Sequence, residues 1–316
     1  MEGSGGASHR LAPLAAPGSW AVVMGCGIVS ADLFTIGQVI LSDVLLWFAV
    51  AAWLLLAVRL LSSAGLIRQE FKSPAILGGV AGTAVLGARF AVQGDRLAAA
   101  VLLGLAALWG AVALVPVLRD WQGPVTGTSF LVSVAISGLA GLSATVALLD
   151  EARWLLGVAV VVSAFGLVSY GIIAWRFDRG ELGSAAGDHW VAGGALAIAT
   201  LAVGKITLSA TALSAYQDWH GALADLTLAL WCVAMAWLIV LIGSEIARPR
   251  FRYDVRRWAT VFPVGMFGAC SFAVGETSGI RGITDFARAW TWVALTVTVV
   301  VLAGLARNVI RTVKMV

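Results

Sequence analysis

The chain has 316 residues, of which 60% are hydrophobic and 12% charged, and its mean hydropathy is +0.94; soluble domains carry about 45–50% apolar and about 25% charged residues. This excludes a soluble globular domain and defines an integral membrane protein. The net charge of +4 does not point to nucleic acid, because the basic residues are dispersed over short loops, a distribution that the positive-inside rule explains.

A hydrocarbon core of about 30 Å is crossed by about 20 apolar residues in a helix, and ten such windows follow one another along the chain. Residues 1–18 read as a flexible cytoplasmic segment, 19–309 as a ten-helix membrane domain and 310–316 as a short cytoplasmic tail. The first window, 19–37, lacks a convincing cleavage site and reads as a retained span, not a signal peptide. It contains Gly25, Gly27 and, near its far end, Asp32. The second window is 42–61; the third, 74–93, carries Arg89. After 97–118 comes the fifth window, 127–149, where Ser129, Ser133, Ser137, Gly141 and Thr145 recur every four residues as one small polar stripe. That stripe reads as a helix-packing seam with hydroxyls bonded back to the preceding turn, or as pore lining. The sixth window is 154–175. The seventh, 190–216, holds Lys205, and the eighth, 221–244, holds Asp225. The ninth, 258–275, follows a basic loop and carries Phe262 and Pro263 near its start; a proline there removes a backbone donor and tends to kink the helix. The tenth is 286–309. Tryptophans 20, 121, 154, 175, 190, 219, 258 and 290 fall at or beside window ends, as an interfacial aromatic belt requires.

Lys and Arg divide unevenly between the two sides: fifteen lie on the side of the N-terminus and four on the other, which puts both termini in the cytoplasm. Arg89 and Lys205 lie inside windows. A charge near the bilayer centre costs at least ~2.5–3.5 kcal/mol, which makes both functional candidates by default. If they face a pore, that pore prefers anions. The competing readings are that Arg89 snorkels to the outer interface and that Asp225, or Asp32, neutralises Lys205. The odd windows hold sixteen glycines and the even ones eight, in nearly equal total length. Small residues let helices approach closely, so the simplest architecture is five helical hairpins, with odd helices forming an inner cluster and even helices facing lipid.

Several chemistries find no support. Cys26, Cys232 and Cys270 lie in apolar windows without metal-ligand spacing. His189 and His220 sit at helix entrances, where interfacial packing is expected. The glycines of 24–30 form a GxG inside a membrane helix with no preceding strand, so a dinucleotide site fails. There is no HExxH, P-loop or nucleophile elbow. No catalytic residue, cofactor or metal is expected, and a membrane-embedded enzyme or a receptor-like structural protein is the alternative of another class.

Three segments carry a resemblance: SWAVVMGCGIVS (19–30), HWVAGGALAIATLA (189–202) and, most specifically, RYDVRRWATVFPVGMFGACSFAVG (252–275). With them the chain resembles the tellurite-resistance/dicarboxylate transporter family, which includes plant slow anion channels and fungal malate and sulfite transporters. The resemblance implies a pseudo-fivefold bundle whose odd helices surround a central anion pathway, in a homotrimer at the plasma membrane. It also implies that the aromatic immediately before the ninth-helix proline, Phe262, plugs the pathway. The expected function is transmembrane passage of small anions (C4-dicarboxylates, sulfite or inorganic anions), with Phe262 and Pro263 as gate and Lys205, Arg89, Ser133, Ser137, Gly25 and Gly27 along the pathway. The alternative within transport is a proton-coupled exporter conferring resistance to tellurite or another toxic oxyanion, with Asp32 or Asp225 carrying protons.

Overall fold

The computed structural model describes residues 18–62, 65, 70–71, 73–120, 124–178, 180–181, 187–249 and 253–314. Among these residues ten α-helices follow in order: α1 (Trp20–Thr35), α2 (Val39–Leu61), α3 (Leu77–Val92), α4 (Arg96–Asp120), α5 (Leu131–Leu149), α6 (Arg153–Arg176), α7 (Trp190–Ala212), α8 (His220–Ala247), α9 (Trp258–Ser278) and α10 (Arg281–Lys314). Counting the 3-10 turns that lead into some of them, nine are long and apolar enough to cross a membrane; α1 is apolar but shorter, at 16 residues. The protein is an all-α, multi-pass membrane protein. The tenth helix begins before the window at 286 and continues to Lys314, so residues 310–314 extend it.

Each odd helix turns directly into the next even one. The turns share a left-handed residue that reverses the chain: Gly37, Gly94, Glu151, Ser214 and Gly279. In four of the five hairpins the following amide closes back on the last helical turn, Gln38 N to Leu33 O (2.8 Å), Asp95 N to Phe90 O (3.0 Å), Ala152 N to Ala147 O (2.8 Å) and Ala215 N to Ala210 O (2.8 Å). This six-to-one closure satisfies a carbonyl that the helix end leaves without a partner. Glycine supplies the left-handed geometry without strain at three turns, whereas Glu151 and Ser214 adopt it with a side chain.

The five hairpins pack as two rings. Each odd helix touches the odd helices before and after it, α1–α3–α5–α7–α9 and back to α1, which closes an inner ring; each even helix lies against its own partner and the next odd helix. Burial follows this order. In the odd spans beginning with α3, 72% to 89% of the central residues are buried, against 17% to 28% in the even spans. The even helices present their apolar surface outward, as lipid-facing helices must, and the glycine asymmetry has its physical cause in the inner ring. Gly27, Gly141 and Gly204 stand ten residues before their turns, and each faces the next inner helix, at Val85, Ala202 and Ala273 respectively. Ala84 holds the same register in α3 and meets Gly138 of α5. Without a hydrophobic driving force between helices in lipid, close backbone approach of this kind supplies the packing.

Tryptophans divide by ring. Trp154, Trp175 and Trp219 are exposed near the ends of outer helices, as a belt requires, but Trp20, Trp190 and Trp258 are buried where α1, α7 and α9 begin. Trp290 lies well inside α10 and turns inward, and Trp121 falls outside the described residues. Three of the inward indoles find acceptors on inner helices, Trp53 donating to Thr83 Oγ1 (2.8 Å), Trp231 to Ser271 Oγ (2.8 Å) and Trp290 to the Val264 carbonyl (2.8 Å), whereas Trp109 Nε1, packed against Gly79, is buried without a hydrogen-bond partner among the described residues. In hydrocarbon an unpaired indole N–H is costly, so these bonds help fix outer helices on the ring.

Candidate functional site

The site is built around the start of α9. Asp254 accepts from the Arg256 amide (2.9 Å) and caps the 3-10 turn Val255–Arg257, which runs straight into the helix. Four residues further, Phe262 is completely buried and is followed by Pro263, which has no amide to give the Ala259 carbonyl. The helix continues through the proline, clamped from three sides. Gly25 of α1 lies against Val261 and the Phe262 backbone; a Cβ there would come 2.8 Å from Val261 Cγ1 and 3.5 Å from the Phe262 nitrogen. Gly194 of α7 lies against Pro263, with 2.8 Å between its would-be Cβ and Cγ. From the outer ring, Trp290 bonds the Val264 carbonyl. Gly25 and Gly27 therefore serve contacts of α1 with α9 and α3.

Below this point, at the face where the odd helices begin, Glu245 of α8 ties two inner helices together. It pairs with Arg257 (3.2 Å) and accepts from the Trp190 indole (3.4 Å). His189 reaches Ser244 at 3.1 Å. In the loop region nearby, the Glu181 carboxylate accepts from the Gly127 amide at 2.7 Å; burial pushes its carboxyl upward, the amide opposes that, and Asp188 and Asp178 add to the rise.

Lys205 stands nine residues before the turn of α7 and is partly exposed. Among the described residues no hydrogen bond or ion pair engages its ammonium, and the acid whose charge acts on it is Glu276 of α9. The competing pairing with Asp225 is not formed: Asp225 is exposed on the outer helix α8. Asp32 is not its partner either. That side chain is buried on α1, its Oδ2 has no hydrogen-bond partner among the described residues, and it faces Gly268 of α9.

Arg89 does not snorkel: its side chain is fully buried. Nε donates to Ser30 and Ser42 Oγ (3.0 Å each), Nη1 to Gln93 (2.9 Å) and Nη2 to Asp43 (3.1 Å), while the guanidinium carbon sits 4.2 Å from the Phe34 ring centroid. These partners lie on α1 and α2 and at the end of its own helix, so Arg89 knits the first hairpin to the second. Ser133 donates to the Gly166 carbonyl of α6 (3.0 Å), and Ser137 lies against the same glycine. Of the two readings of the α5 stripe, these two positions take the packing seam: they meet the hairpin partner, away from the ring axis. Asp43, Ser30 and Ser42 were not singled out by sequence, since no spacing ties them to the cation they meet. Among the described residues no group of three or more His, Cys, Asp or Glu is arranged to hold a metal ion.

Five like hairpins around a closed inner ring define a multi-pass helical bundle with a single central axis. The family model described as "Voltage-dependent anion channel" (SLAC1) matches residues 15–306, and the chain belongs to that family. Two curated relatives, each an uncharacterized membrane protein of Mycobacterium tuberculosis (strains CDC 1551 and H37Rv), are 29% identical over 131 residues, which span 40% of this chain and 66% of theirs.

Proposed function

We propose that the protein passes small anions, such as C4-dicarboxylates, sulfite or inorganic anions, along the axis of the inner ring, and that Phe262 closes this path. The observation that carries the proposal is the position of a fully buried ring beside a proline, on a ring helix clamped by Gly25 and Gly194. An aromatic constriction of this kind blocks hydrated ions by dewetting until its rotamer or the local helix geometry changes. Toward the turn face, Ala31, Ala88, Thr145 and Leu208 share one register and are partly exposed, as is Lys205. Their exposure supports a water-filled mouth on that side. Lys205, without an ion pair, supplies positive potential there, and Glu276 moderates it. Arg89, Ser133, Ser137 and Gly27 are structural in this reading, since each is occupied between helices. The arginine-rich face is cytoplasmic by the positive-inside rule, with both termini on that side of the plasma membrane and three copies per assembly. The test is anion flux in proteoliposomes: Phe262→Ala should raise it.

A second reading is favoured by Asp32, buried without a hydrogen-bond partner for Oδ2. A carboxylate in that position is far more costly than a carboxylic acid, so Asp32 is the group able to carry a proton through the ring in a proton-coupled exporter. Flux measured with and without a pH gradient separates the two; Asp32→Asn would remove the gradient dependence in the second reading only.

A further inference from the structure

Outside the ring, α8 and α10 do not close over α9, and a groove of about 1310 Å³ runs between them. Its walls are apolar: Ile242 and Ile246 from α8, and Val293, Val297 and Val300 from α10. Its floor is the outward side of α9, where Thr260 and Val264 lie on either side of Pro263. Toward the face where the odd helices begin, the lining changes to Arg257, Arg307 and Arg311. Arg257 is paired with Glu245 at 3.2 Å. Arg307 and Arg311 are exposed and, among the described residues, have no acidic partner.

This order of polarity is that of one membrane leaflet. From Val297 to Arg307 the helix rises ten residues, or about 15 Å, half of a hydrocarbon core of about 30 Å. An acyl chain beside Val297 therefore brings its phosphate to the level of the two arginines. Arginine is suited to that partner, because its planar fork matches a phosphate bidentately. A protein helix in the groove would have to bring acids to the same level, whereas an anionic lipid brings both parts in one molecule.

We infer that the groove between α8 and α10 seats one anionic phospholipid of the adjacent leaflet, its chain along Ile242, Val293 and Val297 and its phosphate at Arg307 and Arg311. The chain then lies against Thr260 and Val264, on the back of the proline turn. The site does not depend on what the ring conducts, so binding is read without flux.

The test is native mass spectrometry of the purified protein after equilibration with equal amounts of phosphatidylglycerol and phosphatidylcholine. A basic residue near a membrane surface favours an anionic lipid by roughly fivefold, so the two arginines give a preference of about 25-fold. The Arg307→Gln, Arg311→Gln double variant should bring the ratio near one; both residues are exposed, so the bundle stays folded. Val297→Trp, which narrows the groove at its apolar wall and keeps the arginines, should lower the amount of either lipid bound. A wild-type ratio near one, an unchanged ratio in the double variant, or full lipid retention in Val297→Trp would overturn the assignment. Retention together with a changed oligomeric state would give the groove to a second copy.

Discussion

Replacing Arg89 by Gln separates a structural cation from a pathway cation. The substitution removes a fully buried guanidinium that holds Ser30 and Ser42 of the first hairpin, Gln93 and Asp43. Hydrogen bonds to a charged group contribute about 1.5–3 kcal/mol each, and the approach to the Phe34 ring adds about 0.5–2 kcal/mol. The Asp43 side chain is 47% exposed, so it rehydrates when its partner goes, and that pair is worth about 0.2–1 kcal/mol. These contributions are not additive. Ser30 and Ser42 also retain the bonds that each hydroxyl donates to the other's carbonyl, which brings the net cost to about 3 kcal/mol. At about 2–4 °C per kcal/mol for domains of 150–250 residues, melting should fall by roughly 6 °C, near the lower end of that scale because this chain is larger. Thermal unfolding in detergent, followed by tryptophan fluorescence, measures it. Unchanged melting together with altered anion selectivity would return Arg89 to the pathway.

Two further outcomes follow from the ring. Gly194→Ala sets a methyl 2.8 Å from Pro263 Cγ and 3.2 Å from its Cα; overpacking against backbone costs about 1–3 kcal/mol, so this variant should melt earlier, and a neutral result would show that α7 and α9 are not held together at the proline. Lys205→Met should lower the preference for anions over cations in reversal-potential measurements, and Glu276→Gln should raise it, because the acid moderates the lysine. Shifts of the same sign in both variants would contradict an electrostatic role for the pair.

Much of the architecture was legible in the sequence. The windows located ten helices because a bilayer fixes helix length, and the glycine excess in odd windows marked the inner ring because only small residues allow its helices to close. The five turns could be read only in part: Gly37, Gly94 and Gly279 are ordinary left-handed residues, whereas nothing in Glu151 or Ser214 announces that conformation. Periodicity gave a face on α5 but not its neighbour; the four-residue stripe is real, yet Ser133 meets α6 instead of the axis. Partners of buried charge were the least accessible. Asp225 shared the depth of Lys205 but stands on the outer ring, and Asp43 is just an acid near the start of α2 until the fold brings Arg89 to it. Around Phe262, the basic loop, the ring and the proline were visible in order, while the clamp by Gly25, Gly194 and Trp290 comes from three helices distant in the chain.

Closure of the path by Phe262 is read from anion efflux out of proteoliposomes containing wild type, Phe262→Ala or Phe262→Leu. Removing a buried phenyl costs about 3–5 kcal/mol, so only monodisperse protein enters the comparison. Phe262→Ala should raise flux about tenfold or more, the change expected when a barrier falls by ~1.4 kcal/mol, and Phe262→Leu should remain near wild type. Equal flux through folded wild type and Phe262→Ala would mean that Phe262 does not close the path.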